Sequence, residues 1–218
     1  MKKDPFLEKI QLQKRLKMAE EICKKVNLSP EVKEAIIKTK RELFVPKGFS
    51  HFAYKLDALP LSSKQWISSP LTVAKMTETL KPQGADSVLE IGCGSGYQAA
   101  VLSQLIRRVF TIERIEKLLM EARKRFREYK ITNIHTRLGD GMIGWKEFAP
   151  YDRIIISASL DEIPSALFEQ LAENGILVAP INRGKDQVIT RFYKKNGRIT
   201  KEEIDSCSFV PIKNGVEK

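Results

Sequence analysis

The sequence predicts a doubly wound α/β fold: a mostly parallel seven-stranded sheet, an N-terminal helical cap and an antiparallel C-terminal hairpin. Three observations lead there. From residue 71 onward, short apolar runs alternate with stretches of helical period, the pattern of strand–helix–strand units. Tyr151–Ser159 (YDRIIISAS) carries the unbroken apolar run of a strand buried on both faces. Val88–Ala100 (VLEIGCGSGYQAA) joins such a strand to a glycine turn and the start of a helix. In an open α/β sheet a ligand sits at that carboxyl end of the strand.

The elements follow in order. Asp4-Pro5 is a helix start, a capping side chain before a proline in the first turn. Phe6, Ile10, Leu12, Leu16, Ala19, Ile22 and Val26 then recur at near-helical spacing. Ser29-Pro30 repeats the signal for a helix carrying Val32, Ala35, Ile36 and Ile37. These two helices form a cap over residues 1–40. Residues 41–70 show little periodicity but are rich in aromatics, prolines and serines. An irregular stretch that long is usually functional, and its apolar content suits an active-site wall or lid. A helix follows over Leu71–Pro82. Strands are expected at Ser87–Gly92, Val109–Arg114, Ile134–Asp140, Tyr151–Ser159 and Asn174–Ile181, the last opened by an Asn-Gly turn. Helices are expected at Tyr97–Ile106, Ile115–Tyr129 and Ile163–Ala172. Gln187–Asp205 reads as a hairpin about Lys195-Asn196-Gly197. No internal repeat or linker interrupts the series, so 1–218 reads as one domain with its sheet core in 71–218.

Bulk properties narrow the function. No apolar run approaches the ~20 residues of a membrane span, and MKKDPFLEKI lacks the apolar core of a signal peptide. Cys23, Cys93 and Cys207 have no metal-ligand spacing and form no disulfide framework, which fits a reducing cytoplasm. The only histidines, His51 and His135, lie far apart, so no metal site is expected. The formal charge is +11, but the lysines and arginines are scattered among acidic and apolar residues. Solvated helix faces explain them better than a dedicated nucleic-acid surface. A monomer is expected.

The glycine turn identifies a ligand class. A dinucleotide site wants G-x-G-x-x-G; here the third glycine comes one residue early and Tyr97 occupies the sixth position. Glu90 before the turn, Gly92, Gly94 and Gly96 within it, and Glu113 about 20 residues on resemble instead the pattern of class I methyltransferases. That resemblance implies S-adenosylmethionine, with Glu113 accepting hydrogen bonds from the ribose hydroxyls. Cys93, between two glycines of the turn, reads as a small packing residue and not as a nucleophile.

A closer resemblance covers nearly the whole chain. It is carried by R-E-x-F-V-P at Arg41–Pro46, A-L-P at Ala58–Pro60, Q-x-I-S-x-P at Gln65–Pro70 and A-x-M-T-E at Ala74–Glu78. It continues with G-S-G-Y-Q-A-A at Gly94–Ala100, I-E-R-I at Ile112–Ile115 and G-D-G-x-x-G-W at Gly139–Trp145. E-I-P at Glu162–Pro164, G-I-L-V-x-P at Gly175–Pro180, Gln187 and F-V-P at Phe209–Pro211 complete it. These strings resemble the protein-L-isoaspartate (D-aspartate) O-methyltransferases. The resemblance implies transfer of a methyl group from S-adenosylmethionine to the free carboxylate of L-isoaspartyl or D-aspartyl residues in damaged proteins, releasing S-adenosylhomocysteine. It puts the active-site serine at Ser68. Cofactor contacts are implied for Gln65, Glu90, Gly92, Gly94, Gly96, Tyr97, Gln98, Glu113, Arg114, Asp140, Gly141 and Gln187, with Asp140 facing the adenine amino group. Ser69, directly before Pro70, is the better helix cap.

Two departures stand beside this expected site. Where the family has glycine and a small hydroxyl residue before the serine, this chain has Ser62-Ser63-Lys64-Gln65-Trp66-Ile67-Ser68. After the fourth strand, Ser157-Ala158-Ser159-Leu160-Asp161 replaces a run of small residues. Both bear on the acceptor and leave the cofactor half intact. Two alternatives therefore stay open: a methyltransferase with another acceptor, a different protein group or nucleic acid, and a cofactor-binding adaptor without turnover.

Overall fold

The computed structural model describes residues 5–218. Its cap is α1 (Pro5–Cys23) and α2 (Pro30–Lys38); Asp4, the expected cap of α1, lies outside the described residues. Met18, Ala19 and Ile22 of α1 and Ala35 and Ile36 of α2 are buried in the same cluster as the helices behind the sheet. Ser29 does not cap its own helix. Its backbone N–H and its hydroxyl both donate to the Glu78 carboxylate, at 2.8 and 2.9 Å, so the start of α2 is pinned to the helix after it.

Residues 41–70 are more regular than the sequence suggests. They hold two 3-10 turns, Arg41–Leu43 and Lys47–Phe52, and a two-residue antiparallel ladder of β1 (Leu59–Pro60) with β2 (Trp66–Ile67). Aperiodic apolar residues settle here because the cap and the sheet core supply a surface on both sides. Next comes α3 (Pro70–Leu80), where the Ser69 hydroxyl accepts from the Thr72 N–H at 3.0 Å. Ser69 is thus the cap, as expected.

The core runs β3 (Ser87–Ile91), α4 (Tyr97–Leu102), β4 (Arg108–Glu113), α5 (Glu116–Glu128) and β5 (Ile134–Leu138). It continues with β6 (Tyr151–Ile156), α6 (Ser165–Glu169), β7 (Leu171–Arg183), β8 (Asp186–Lys195) and β9 (Arg198–Cys207). The sheet order is β5-β4-β3-β6-β7-β8-β9. The first five are mutually parallel, and β8 and β9 return antiparallel. Asn196 and Gly197 turn the last hairpin with φ 51° and 70°, the mirror-image geometry that suits strand twist. Alternation sorts the strand residues between two cores. Val88, Val109 and Ile155 face the cap and α3–α5, while Leu89, Phe110, Ile154 and Ile156 face α6 and Tyr151.

Two expectations need correction. The helix foreseen over Ile163–Ala172 is only α6, because Leu171 already pairs with Tyr151 as strand. The strand foreseen from Asn174 begins three residues earlier, and Asn174-Gly175 forms a bulge inside it. The ladder steps from Tyr151↔Leu171 to Arg153↔Ile176, so extra residues on β7 loop out, a device that turn-forming residues permit.

Candidate active site

The chain leaves β3 for β4 on one side and crosses back to β6 on the other, so the carboxyl ends of β3 and β6 diverge. A cleft opens at this switch, as the sheet topology requires. The cleft is concave and open to solvent, the kind of site in which small ligands are held. It is walled by Gln65–Ser68, the starts of α3, α4 and α5, the glycine turn, the carboxyl end of β4, Gly141, Ser157-Ala158 after β6, and Phe209–Lys213.

Three oriented contacts shape the floor. The N–H groups of Gly92 and Cys93 both donate to the Ile112 carbonyl, at 2.9 and 3.2 Å, and tie the turn to β4. Gly96 has φ 86°, and a Cβ there would stand 2.7 Å from the Phe126 ring; only glycine lets α5 pack this close to the turn. The Glu113 carboxylate accepts from the Gly94 N–H at 2.7 Å and the Ile115 N–H at 2.9 Å. Two backbone donors thus fix its plane, and each oxygen keeps a further lone pair for ligand hydroxyls. Gly141 closes one side: a Cβ would lie 2.2 Å from Ile91 Cγ2.

Of the residues expected from the sequence, Ser68, Gln65, Gly92, Gly94, Tyr97, Gln98, Glu113, Arg114 and Gly141 come together in this wall. Glu90, Gly96, Asp140 and Gln187 stand behind it. Glu90 is 0% exposed, accepts from the Thr111 hydroxyl at 2.5 Å, and leaves its other oxygen unpartnered. Burial, partly countered by Thr111, pushes its carboxyl up to about 8, which favours the protonated form over the carboxylate. Asp140 accepts from the N–H groups of Met142 and Gly215, at 2.8 and 2.7 Å. Gln187 brackets Phe209, donating to its carbonyl at 3.2 Å and accepting from its N–H at 2.6 Å. Cys93 lines the cleft, but burial raises its thiol far above the ordinary range, which keeps it from acting as a thiolate.

Sequence reasoning missed two parts of the site. Arg41 is 0% exposed and reaches across the fold. It donates to the Ala53 carbonyl and the Ser68 carbonyl, each at 2.9 Å, and its guanidinium lies 4.6 Å from the centre of the Tyr97 ring. Burial lowers it only to about 10, so it stays a cation that fixes Ser68 against the cofactor helix. Its one sequence signal was the R-E-x-F-V-P string. The second part is the strap after β9. Its Val210 and Ile212 pair with Ser159, and Glu217 pairs with Ile115 and binds Arg114 Nη1 at 3.0 Å. The tail so crosses the carboxyl ends of the sheet from β8 toward β4 and supplies the far lip of the cleft.

Sheet, switch-point cleft, glycine turn and acidic end of β4 together define a class I methyltransferase. The family model described as "Protein-L-isoaspartate(D-aspartate) O-methyltransferase (PCMT)" matches residues 12–217, and the chain belongs to that family. A relative from Helicobacter pylori (strain P12) named protein-L-isoaspartate O-methyltransferase is 55% identical over 201 residues, spanning 92% of this chain and 96% of its own. A solved protein-L-isoaspartate O-methyltransferase is similar with TM-score 0.84 and 28% identity, over 93% of this chain and 67% of that one. A Plasmodium falciparum structure, described as a complex with S-adenosyl-L-homocysteine, shares the fold with TM-score 0.79 at 23% identity, over 91% and 98% of the two chains.

Proposed function

We infer that this protein is an S-adenosylmethionine-dependent carboxyl methyltransferase that repairs damaged proteins by esterifying L-isoaspartyl and D-aspartyl residues. Family membership supports it. The structural observation that carries it is that Ser68 lines the same cleft as Glu113 and the glycine turn. Donor and acceptor sites therefore adjoin. The cofactor fits what is there: a floor of glycines and a carboxylate already oriented by backbone donors.

When bound, S-adenosylmethionine supplies a methyl group on a sulfonium, and S-adenosylhomocysteine is the product. The chain's own residues then have a positioning task. The acceptor carboxylate is ionised at neutral pH, so no proton need be removed. Among the described residues no histidine lines the cleft, which agrees with that chemistry. Glu113 holds the ribose hydroxyls, and Gly92, Gly94 and Gly141 admit the ligand to backbone distance. Gln65, Tyr97, Gln98 and Arg114 complete the cofactor wall. The Ser68 hydroxyl donates to the acceptor carboxylate and aims its free oxygen along the line of attack. Orientation of this kind supplies most of the rate in such a transfer. Glu90, Gly96, Asp140 and Gln187 act from behind the wall, Asp140 by holding the Met142 and Gly215 N–H groups in place.

The acting unit is a single chain in a reducing, cytoplasmic setting, and nucleic acid is not its acceptor. Three unpaired cysteines agree with the reducing setting, and lysines and arginines scattered among acidic residues agree with a polypeptide acceptor. No helix is long and apolar enough to cross a membrane among the described residues. The test is methyl transfer from labelled cofactor to paired peptides that differ only in an isoaspartyl or a normal aspartyl linkage. A base-labile ester on the isoaspartyl peptide alone is expected; equal labelling of both, or of neither, overturns the reading.

A further inference from the structure

We propose that Trp66 is an acceptor-recognition platform, which makes the enzyme prefer isoaspartyl sites flanked by a large apolar or aromatic side chain. This rests on the carboxyl methyltransferase reading above.

The two tryptophans of the chain are differently employed. Trp145 packs edge-on to Phe110 and Phe148 and lies under Arg137, and its indole N–H points to Glu147. Trp66 is 54% exposed, and among the described residues no ring, cation or hydrogen-bond partner covers its indole. It nevertheless lines the catalytic cleft, two residues from Ser68. Covering a bare indole is favourable, and tryptophan is enriched at surfaces where a partner covers it.

The backbone holds this indole out deliberately. In the β1–β2 ladder Leu59 opposes Ile67 and Pro60 opposes Trp66. Leu59 and Ile67 are buried in the core, so alternation sends Pro60 and Trp66 to the other face. The turn that joins them has Ser63 at φ 57° and Lys64 at φ 55°. It is closed by the Gln65 N–H to the Ser62 carbonyl at 3.2 Å and the Leu61 N–H to the Gln65 carbonyl at 2.7 Å. Two successive left-handed residues make the mirror-image turn that matches strand twist, a geometry normally given to glycine or asparagine. Strained non-glycine backbone of this kind clusters where a segment contacts a ligand. The ladder sets the exposed indole on the cleft wall two residues from Ser68, where an extended peptide bringing its carboxylate to Ser68 would meet it. An apolar side chain next to the isoaspartate would bury the indole face; a small polar one would leave it wet.

The test measures kcat/KM by competition on three isoaspartyl peptides: Phe immediately before the isoaspartate, Phe immediately after it, and Ser on both sides. For the native protein at least one Phe peptide is expected to exceed the Ser peptide by about tenfold, the low end for a contact in a partly open apolar site. Trp66→Phe should keep most of that ratio and Trp66→Ser should bring it to about one, with S-adenosylhomocysteine binding retained in both by calorimetry. A native ratio near one overturns the proposal whatever the variants do, as does a preference that survives in Trp66→Ser. Failure to label any isoaspartyl peptide overturns the functional reading and this inference together. Labelling without flank preference overturns this inference alone.

Discussion

The two walls of the cleft are built in opposite ways. The cofactor wall is made where β3 and β4 end: Gly92–Tyr97 and Glu113 sit on central parallel strands, and the floor beneath them is fully buried. The wall proposed for the acceptor is made of Trp66–Ser68 and Phe209–Lys213, and it rests on a two-residue pairing, isolated bridges and the Ser63-Lys64 turn, with the tryptophan exposed. The first is held by the sheet and tolerates no added methyl at Gly96 or Gly141. The second is held by a few long-range contacts: Arg41 to Ser68, Gln187 to Phe209, and Ser159 to Val210 and Ile212. A constant ligand can be met by a rigid floor, whereas an acceptor inside varied polypeptides needs a rim that can differ from chain to chain.

Four substitutions test that contrast. The largest effect is expected at Glu90, beneath the cofactor wall. Its folded carboxyl sits at about 8, mainly through burial, against about 4.3 in an unfolded chain. The native state therefore holds the extra proton in that window, and the stability this contributes is full below about pH 4 and is lost as pH rises through about 8. Glu90→Gln removes the proton dependence. Its stability relative to the native protein should climb by about 1 kcal/mol per pH unit between about pH 5 and pH 8 in chemical denaturation. A flat difference would mean that the floor is not dry. Next, Glu113→Ala removes the oriented carboxylate. Calorimetry should show S-adenosylhomocysteine binding about 100-fold weaker, near 2.7 kcal/mol for two lost bonds to a charged group, with the isoaspartyl over aspartyl preference intact at saturating cofactor.

On the acceptor side, Ser68→Ala should lower kcat/KM for an isoaspartyl peptide by about 10-fold to 30-fold, one hydrogen bond to a carboxylate. Cofactor affinity should stay within about twofold, since Glu113 and the glycine turn are untouched. A matching loss of cofactor affinity would show that the two walls are not separable. The smallest effect is expected at the strap. The Glu217–Arg114 pair is partly exposed, so Glu217→Ala should weaken S-adenosylhomocysteine by no more than about threefold at low salt, and by less in high salt.

Legibility followed the same division. Gly92, Gly94, Gly96 and Glu113 could be read because a buried strand, a turn of small residues and an acidic strand end are adjacent or nearly adjacent in the chain. The hairpin at Asn196-Gly197 and the Ser69 cap were legible for the same reason: each is settled by two to four neighbouring residues. The bulge at Asn174-Gly175 was misread as a strand start because a turn signal does not say whether the partner strand continues past it. Arg41 was legible only as part of a string, since burial of an arginine against two carbonyls depends on segments 12 and 27 residues away. The strap was not legible at all as a wall, because nothing within Phe209–Glu217 shows that it crosses to Ile115.

The amino-acid order by itself determined the class of fold, and it pointed to the glycine turn after β3 and to Ser68 as the residues to test for donor and acceptor. Each of these is written in short-range pattern, where period, glycine spacing and capping act directly on the backbone. Only the tertiary structure decided which of the expected residues share the cleft and which stand behind it. It also decided that Arg41 joins Ser68 to Tyr97 and that Trp66 is left bare at the entrance. Those outcomes depend on which surfaces meet when the sheet closes, and burial is a property of the packed chain and not of any residue within it.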